Sequence, residues 1–379
     1  MAVTDLRDRK SVNASRRIPW WEPVMTGGEN ARVEAVIRSN YLNDGDVTTE
    51  FEGRIAALSG ASHAVATTSG TTAIFLALAA AGAGPGDEVI VPDVTFIATA
   101  NAVRLTGATP VLVDIDARTL NVDPERVRAA ITPRTKAIVP VHVSGRSADM
   151  PAILSIAAAH GLAVVEDAAE ALLSKVKGRT LGTLGTAGCL SFSPNKTITT
   201  GQGGMVLTND ATFAARLRAL KDHGRPVRGT GGNDEHPTLG FNFKLTNLQS
   251  AVGLAQSEQL EPRAARLRQI FVQYRDGLGG IPAVVLPGFD VDGGESPQWV
   301  DAVVERRDEL VEHLLARNMH CRPFWYPLHT QQPYRRAESE FPSSSRLMPM
   351  ALWLPSALSL TDDDVATVCR TIRDFYATR

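Results

Sequence analysis

The strongest constraint on what this chain can fold into is an alternation. Between Ala64 and Leu207, short runs rich in β-branched residues (HAVATT, DEVIVPD, TPVLVDID, KAIVPVHV, LAVVEDAA, CLSFSP and GMVLTND) are separated by helical or loop segments. Runs such as VIVP and AIVPV are apolar throughout rather than at every second position, as in strands buried on both faces. The pattern predicts an α/β fold, a mostly parallel mixed sheet lying between layers of helices. The length of 379 residues exceeds the usual span of one domain, roughly 100–200 residues, so two principal units are expected. We place an N-terminal arm over 1–24, a large domain over 25–255 and a smaller C-terminal α+β domain over 256–379. Across that boundary, TNLQSAVGLAQSEQLEPRAARLRQIFVQYRDGL keeps helical spacing over a length too great for one compact layer, and is expected to bridge the two.

Composition narrows the function classes. The longest apolar stretch, AIFLALAAAGAG from Ala73, falls short of a membrane-spanning helix. The polar start, MAVTDLRDRKSVNASRR, lacks the apolar centre of a secretory signal and reads as a loosely ordered arm, so a cytoplasmic location is expected. Cys189, Cys321 and Cys369 form no C-x-x-C pair and read as small buried hydrophobes. Lys and Arg number 39 against 41 Asp and Glu with no dense basic run, which argues against a nucleic-acid partner. The histidines show no H-x-x-x-H spacing, and no metal is expected. An anionic ligand must then be held by a local site.

Lys196 lies in SFSPNKTITTGQGGMV, about thirty residues beyond the strand-like LAVVEDAAEA that carries Asp167. A lysine amine can hold an aldehyde cofactor as a Schiff base, and a carboxylate at the end of a buried strand can keep a pyridine nitrogen protonated; together they point to pyridoxal phosphate. Taken singly, Lys196 reads as a solvated lysine and Asp167 as the N-cap of the next helix. Gly201, Gly203 and Gly204 put the lysine on a tight loop entering a strand. TTSGTTAIFLALAAAG feeds a polar turn into an apolar helix, where backbone N–H groups and the hydroxyls of Ser69, Thr71 and Thr72 suit a phosphate; a plain N-cap remains the alternative. Ser191 could add a hydroxyl. Phe96, after a strand ending at Pro92, could stack on a planar cofactor or pack in the core.

With these residues in view, the chain resembles the DegT/DnrJ/EryC1/StrS family of sugar aminotransferases, fold-type-I pyridoxal-phosphate (PLP) dependent transferases. The resemblance runs from about Ile18 to the C-terminus through SGTTAI, PDVTFIATANAV, PVHVSGRSADM, VVEDAAEA, SFSPNKTITTGQGG, GFNFKLTNLQSAVGLAQ and RPFWYPLH. It implies that Lys196 is the catalytic residue and bonds the cofactor, and that Asp167 pairs with the pyridine nitrogen. It implies further that Phe96 stacks on the ring, that Glu170 sits near the phenolic oxygen or the substrate, and that Ser69, Gly70, Thr71 and Ser191 hold the phosphate. Asn242 would reach the cofactor phosphate of a neighbouring subunit, making a homodimer with shared active sites, and His329 would stand at the substrate mouth.

The pairing of VEDAAEA with NKTITTGQGGM is most like perosamine-synthase-type enzymes. That likeness implies transfer of an amino group from L-glutamate or glutamine, by way of pyridoxamine phosphate, to C4 of a nucleotide-diphosphate-linked 4-keto-6-deoxy sugar. The alternatives are a 3-keto sugar or keto-cyclitol, a dehydration, or a non-catalytic cofactor-binding paralogue; dehydrating relatives replace the lysine by histidine, and Lys196 is intact. The chain departs from the family at Ser193-Pro194 and Val143-Ser144, changes expected to shrink side chains near a sugar pocket. Arg179, Arg225 and Arg228 are candidates for the diphosphate, with surface solvation the alternative for each. The glycine-rich stretch 229–237 is expected to be a mobile surface loop.

Overall fold

The computed structural model describes residues 16–227 and 234–378; Arg228 and residues 229–233 lie outside the described residues, as do 1–15. The large domain is built on strands β1 (His63–Thr67), β2 (Glu88–Pro92), β3 (Thr109–Val113), β4 (Thr135–Ile138) and β5 (Ala163–Asp167). A hairpin of β6 (Lys175–Val176) and β7 (Arg179–Thr180) follows, then β8 (Ala187–Ser191) and β9 (Gly204–Thr208). Seven of these strands form one sheet in the order β1-β9-β8-β5-β4-β2-β3. Only β9 runs against its neighbours β1 and β8; every other pairing is parallel.

Strands β2, β8 and β9 are buried at every position, because helices cover both faces of the sheet. The helix Gly70–Ala80 is apolar almost all round and buried along its length, packed between β8, β9 and neighbouring helices. Glycine permits this closeness. A Cβ on Gly70 would lie 2.9 Å from Ser191 Cβ, and one on Gly204 would lie 2.2 Å from Ser69 O. The run KAIVPVHV forms only a short strand, since Pro140 has no N–H to give the ladder. Beyond it the chain turns through Val143–Gly145, with Ser144 in the left-handed region at φ 52.

The C-terminal unit has a second, antiparallel sheet in the order β10-β11-β13-β12, from β10 (Val284–Val285), β11 (Val300–Val304), β12 (Arg322–Pro323) and β13 (Ala351–Leu354). Helices Leu260–Leu278, Arg307–Leu315 and Asp362–Ala377 bury its core. The long bridging run divides into helices Asn247–Ser257 and Leu260–Leu278. The first begins at a capping box of Thr246 and Gln249 and packs on helices Gly28–Ser39 and Asp46–Ser59; the second packs on Asp362–Ala377. The stretch expected to be a loose arm, 1–17, lies outside the described residues except for Arg16 and Arg17, and the segment that follows it is fastened. Ile18 bridges to Met319, Ser356 N–H donates to Trp20 O, and Trp21 Nε1 donates to Pro194 O at 3.2 Å, so the arm fastens the C-terminal unit to the lysine loop.

Glu29 ties the first helix to Asn247–Ser257 through Gln256 and accepts backbone N–H groups of Thr26 and Gly27. Burial opposes its charge most strongly, but hydrogen bonds from its own backbone, Gln256, Thr26 and Gly27 together outweigh it and hold the carboxyl at about 2, below its ordinary 4.5. A carboxyl depressed by folding stabilises the fold fully above its unfolded value and loses that contribution as pH falls. Urea unfolding followed from pH 4.5 down towards 2 should therefore show wild-type stability falling more steeply than that of Glu29→Gln.

Candidate active site

A cavity of about 300 Å³ opens where the parallel strands end. Ser69, Gly70 and Thr71 follow β1, Thr95 and Phe96 follow β2, and Val141 lies beyond β4. Asp167 ends β5, Glu170 lies just after it, and Ser191 ends β8. Ligands bind at this edge of open α/β sheets because the strand-to-helix turns converge there. The C-terminal unit closes the other side with Trp299, Arg322, Trp325 and Trp353.

Lys196 sits on the turn after β8, its Nζ 3.2 Å from Glu170 Oε1 and 5.0 Å from the Trp299 ring centroid. The turn is held from outside. Thr197 donates its N–H and its hydroxyl to Gln298 Oε1, Gln298 Nε2 donates to Asn195 O, and Arg263 donates to Thr197 O. Glu170 Oε2 accepts the Ser144 N–H at 2.9 Å. Burial pushes the Glu170 carboxyl up, the charge of Lys196 and the Ser144 N–H oppose that, and Asp167 adds to it.

Asp167 accepts the Thr99 hydroxyl at 2.7 Å and the Ala169 N–H at 3.2 Å, and Thr99 in turn meets Thr95 at 2.8 Å. The Ala169 contact is a local turn and no helix starts there, since the next element is β6, so Asp167 is not a helix N-cap; its other carboxylate oxygen turns to Thr99. Burial pushes Asp167 up, against Thr99, the Ala169 N–H and the more distant charges of Lys196 and His142. Among the described residues no cation comes within ion-pair distance of it. A protonated ring nitrogen is the kind of partner such a buried carboxylate lacks. At the facing wall, Ser69 caps the helix Gly70–Ala80 by accepting Thr72 N–H, and the first-turn N–H groups of Gly70 and Thr71 have no intrahelical acceptor. Ser191 and Ser193 hydroxyls lie 3.1 Å apart beside them. Phe96 is 53% exposed, an uncommon position for a phenyl ring unless something covers it. A phosphate, a planar ring and a ring N–H thus each have a fitting surface, and the residues present suit pyridoxal phosphate.

Some expected residues lie elsewhere. Thr72 turns its hydroxyl into the capping box rather than the cavity. His329 is 1% exposed and outside the cavity wall: its Nδ1 lies 2.7 Å from Asp93 Oδ2 and its ring stacks on Phe341. It joins the end of β2 to the C-terminal unit instead of standing at a mouth. Asn242 is exposed and lines no part of the cavity of its own chain. Ser193 does face the cavity, but Val143 and Ser144 are fully buried behind it, so that second departure does not enlarge a pocket. Arg179 donates to Thr183 O and Arg225 pairs with Asp234 and Asp222; neither lines the cavity. Sequence reading missed Thr99, Gln298, Trp299 and Arg322; Thr99 and Arg322 stood in motifs already singled out, PDVTFIATANAV and RPFWYPLH, whereas Gln298 and Trp299 stood in none.

Thr99→Val should remove a hydrogen bond to a charged group worth about 1.5–3 kcal/mol. Losing a contact that favours the carboxylate raises Asp167 further, so the acid limb of the pH–rate profile should move to higher pH, while Thr99→Ser leaves it near wild type. An unmoved limb in Thr99→Val would show that the hydroxyl does not control Asp167.

Comparison with known proteins agrees with this geometry. Residues 23–373 match the DegT/DnrJ/EryC1/StrS aminotransferase family. A GDP-perosamine synthase of Caulobacter vibrioides is 39% identical over 362 residues, covering 93% of this chain and 96% of that protein. The spore coat polysaccharide biosynthesis protein SpsC of Bacillus subtilis is 38% identical, covering 94% and 96%. The solved structure of S. venezuelae DesV superposes with a TM-score of 0.91 at 34% identity, covering 96% of this chain and 99% of DesV. The chain therefore belongs to the DegT/DnrJ/EryC1/StrS family and is a PLP-dependent aminotransferase.

Proposed function

We propose that this enzyme moves an amino group from L-glutamate, or glutamine, to the C4 keto carbon of a nucleotide-linked 4-keto-6-deoxy sugar, acting in the cytoplasm. The observation that carries this reading is the near full-length likeness to GDP-perosamine synthases together with a Lys196 site complete enough for amino transfer. Bound pyridoxal phosphate supplies the electron sink that stabilises negative charge at a carbon losing a proton. Lys196 Nζ anchors the cofactor and, once free, takes the proton from the donor Cα; in the second half of the cycle it delivers a proton in the reverse sense. Glu170 Oε1 holds the lysine ammonium whenever Nζ carries that proton. Asp167 keeps a positive charge on the ring nitrogen, and its desolvated setting strengthens that attraction beyond its value in water. The Gly70 and Thr71 N–H groups, at the positive end of their helix, hold the phosphate with help from Ser69 and Ser191. Phe96 would offer its face to the cofactor ring, and Trp299 and Trp353, which line the same cavity, would shield the reacting atoms from water.

We infer further that the working unit is a homodimer in which Asn242 reaches the partner's cofactor phosphate. Its exposure outside its own cavity, beside Leu239 at 90% and Phe241 at 38% exposure, supports an intersubunit role.

Incubating the holoenzyme with L-glutamate and a panel of 4-keto and 3-keto nucleotide sugars and keto-cyclitols, with products read by mass spectrometry and NMR, tests the reading. A 4-amino-6-deoxy sugar is expected, and amination confined to a 3-keto sugar or a keto-cyclitol would replace it. Lys196→Ala should lose at least 10²–10⁴ in turnover, the range set by general acid–base catalysis. Asp167→Asn should cut turnover far more than it lowers thermal stability, and near-normal turnover would remove Asp167 from the mechanism.

A further inference from the structure

About 300 Å³ is the small end of the range for ligand sites, so cofactor and sugar ring fill the cavity, and the nucleotide of the substrate proposed above has to extend beyond it. A second concavity of about 340 Å³ adjoins it, and the two share Thr95, Phe96, Arg322 and Trp325 as common wall. Tyr326, 71% exposed, lines the outer one. Arg322 thus stands at the passage between them.

Its setting is that of a prepared cation. The guanidinium carbon lies 4.8 Å from the Trp20 ring centroid and 5.7 Å from that of Trp353, contacts that hold the group without neutralising it. Two cationic side chains line the cavity: Lys196 is paired with Glu170, whereas Arg322 has no acidic partner among the described residues. The buried Arg146 is likewise committed, to Asp301. A planar guanidinium free to donate at the wall shared by the two concavities suits an oxyanion pair.

We propose that Arg322 binds the diphosphate of the nucleotide-linked substrate and directs the nucleoside into the outer groove, where the Phe96 and Tyr326 rings offer faces for the base. The inference rests on the nucleotide-sugar reading above. It assigns the diphosphate to a residue other than Arg179 and Arg225, which line neither concavity.

Calorimetric titration of the pyridoxamine-phosphate form of the full chain with GDP, UDP and dTDP tests this directly, with the bare nucleosides as controls. At least one diphosphate should bind wild type more tightly than its nucleoside. Arg322→Ala and Arg322→Gln should weaken that binding at least tenfold, about 1.4 kcal/mol, with partial recovery in Arg322→Lys, which keeps the charge but not the planar fork. The KM for L-glutamate, followed by the visible absorption change of the donor half-reaction, should rise less. The inference is overturned if no diphosphate binds wild type, if Arg322→Gln binds it as wild type does, or if glutamate and diphosphate suffer equally, which would mark a donor-carboxylate or packing role. Retained visible absorption of bound cofactor shows that each variant is folded. Because the nucleotide titration needs no turnover, failure of glutamate to react would count against the aminotransfer reading separately.

Discussion

One buried serine holds the reactive centre together. Ser144 gives its N–H to Glu170, its carbonyl accepts from Gln298, its hydroxyl donates to Asp301 at 2.6 Å and accepts from Trp353 Nε1 at 3.1 Å. Glu170 and Gln298 then fix the two sides of the lysine turn, while Asp301 is ion-paired with Arg146 at 2.8 Å. The left-handed conformation at Ser144 costs a non-glycine residue on the order of 1–3 kcal/mol, and the surrounding bonds over-determine it. Straightening that turn would withdraw the N–H from Glu170 and leave Lys196 Nζ without its anchored acceptor.

The same node couples the two units. The large sheet contributes backbone N–H groups and carboxylates at its carboxyl edge; the C-terminal sheet contributes an aromatic wall. All five tryptophans of the chain gather in one cluster there. Trp353 sends Nε1 to Ser144 and Trp299 presents its face to Lys196, so the serine turn and the lysine lean on the same packed rings. The N-terminal segment completes the joint, with Trp20 against Trp299 and Trp21 reaching Pro194 O. The asymmetry has a physical origin: parallel strands align their turns at one edge, and a second unit must cover that edge to make a dry pocket.

The strand alternation was legible because strands buried on both faces read as apolar runs, and the loop bearing Lys196 because its glycines mark a tight turn. The Gly70 helix start could be read locally as well, since capping and anion binding use the same residue types. Partnerships across sequence distance were not legible. Thr99 serves Asp167 from 68 positions away and Gln298 serves Thr197 from 101, and neither pairing leaves a local pattern. His329 misled for the converse reason: a histidine in a motif near a pocket looks available until burial and the Asp93 carboxylate are seen.

The claim on which the account turns is that Lys196, and no other lysine, is the amine that holds the cofactor. Reconstituting the protein with pyridoxal phosphate, reducing with borohydride and mapping peptides by mass spectrometry tests it directly. The account requires a pyridoxyl adduct on Lys196 in the SFSPNKTITTGQGG stretch. An adduct confined to another lysine, or none on protein that has bound the cofactor, would contradict it.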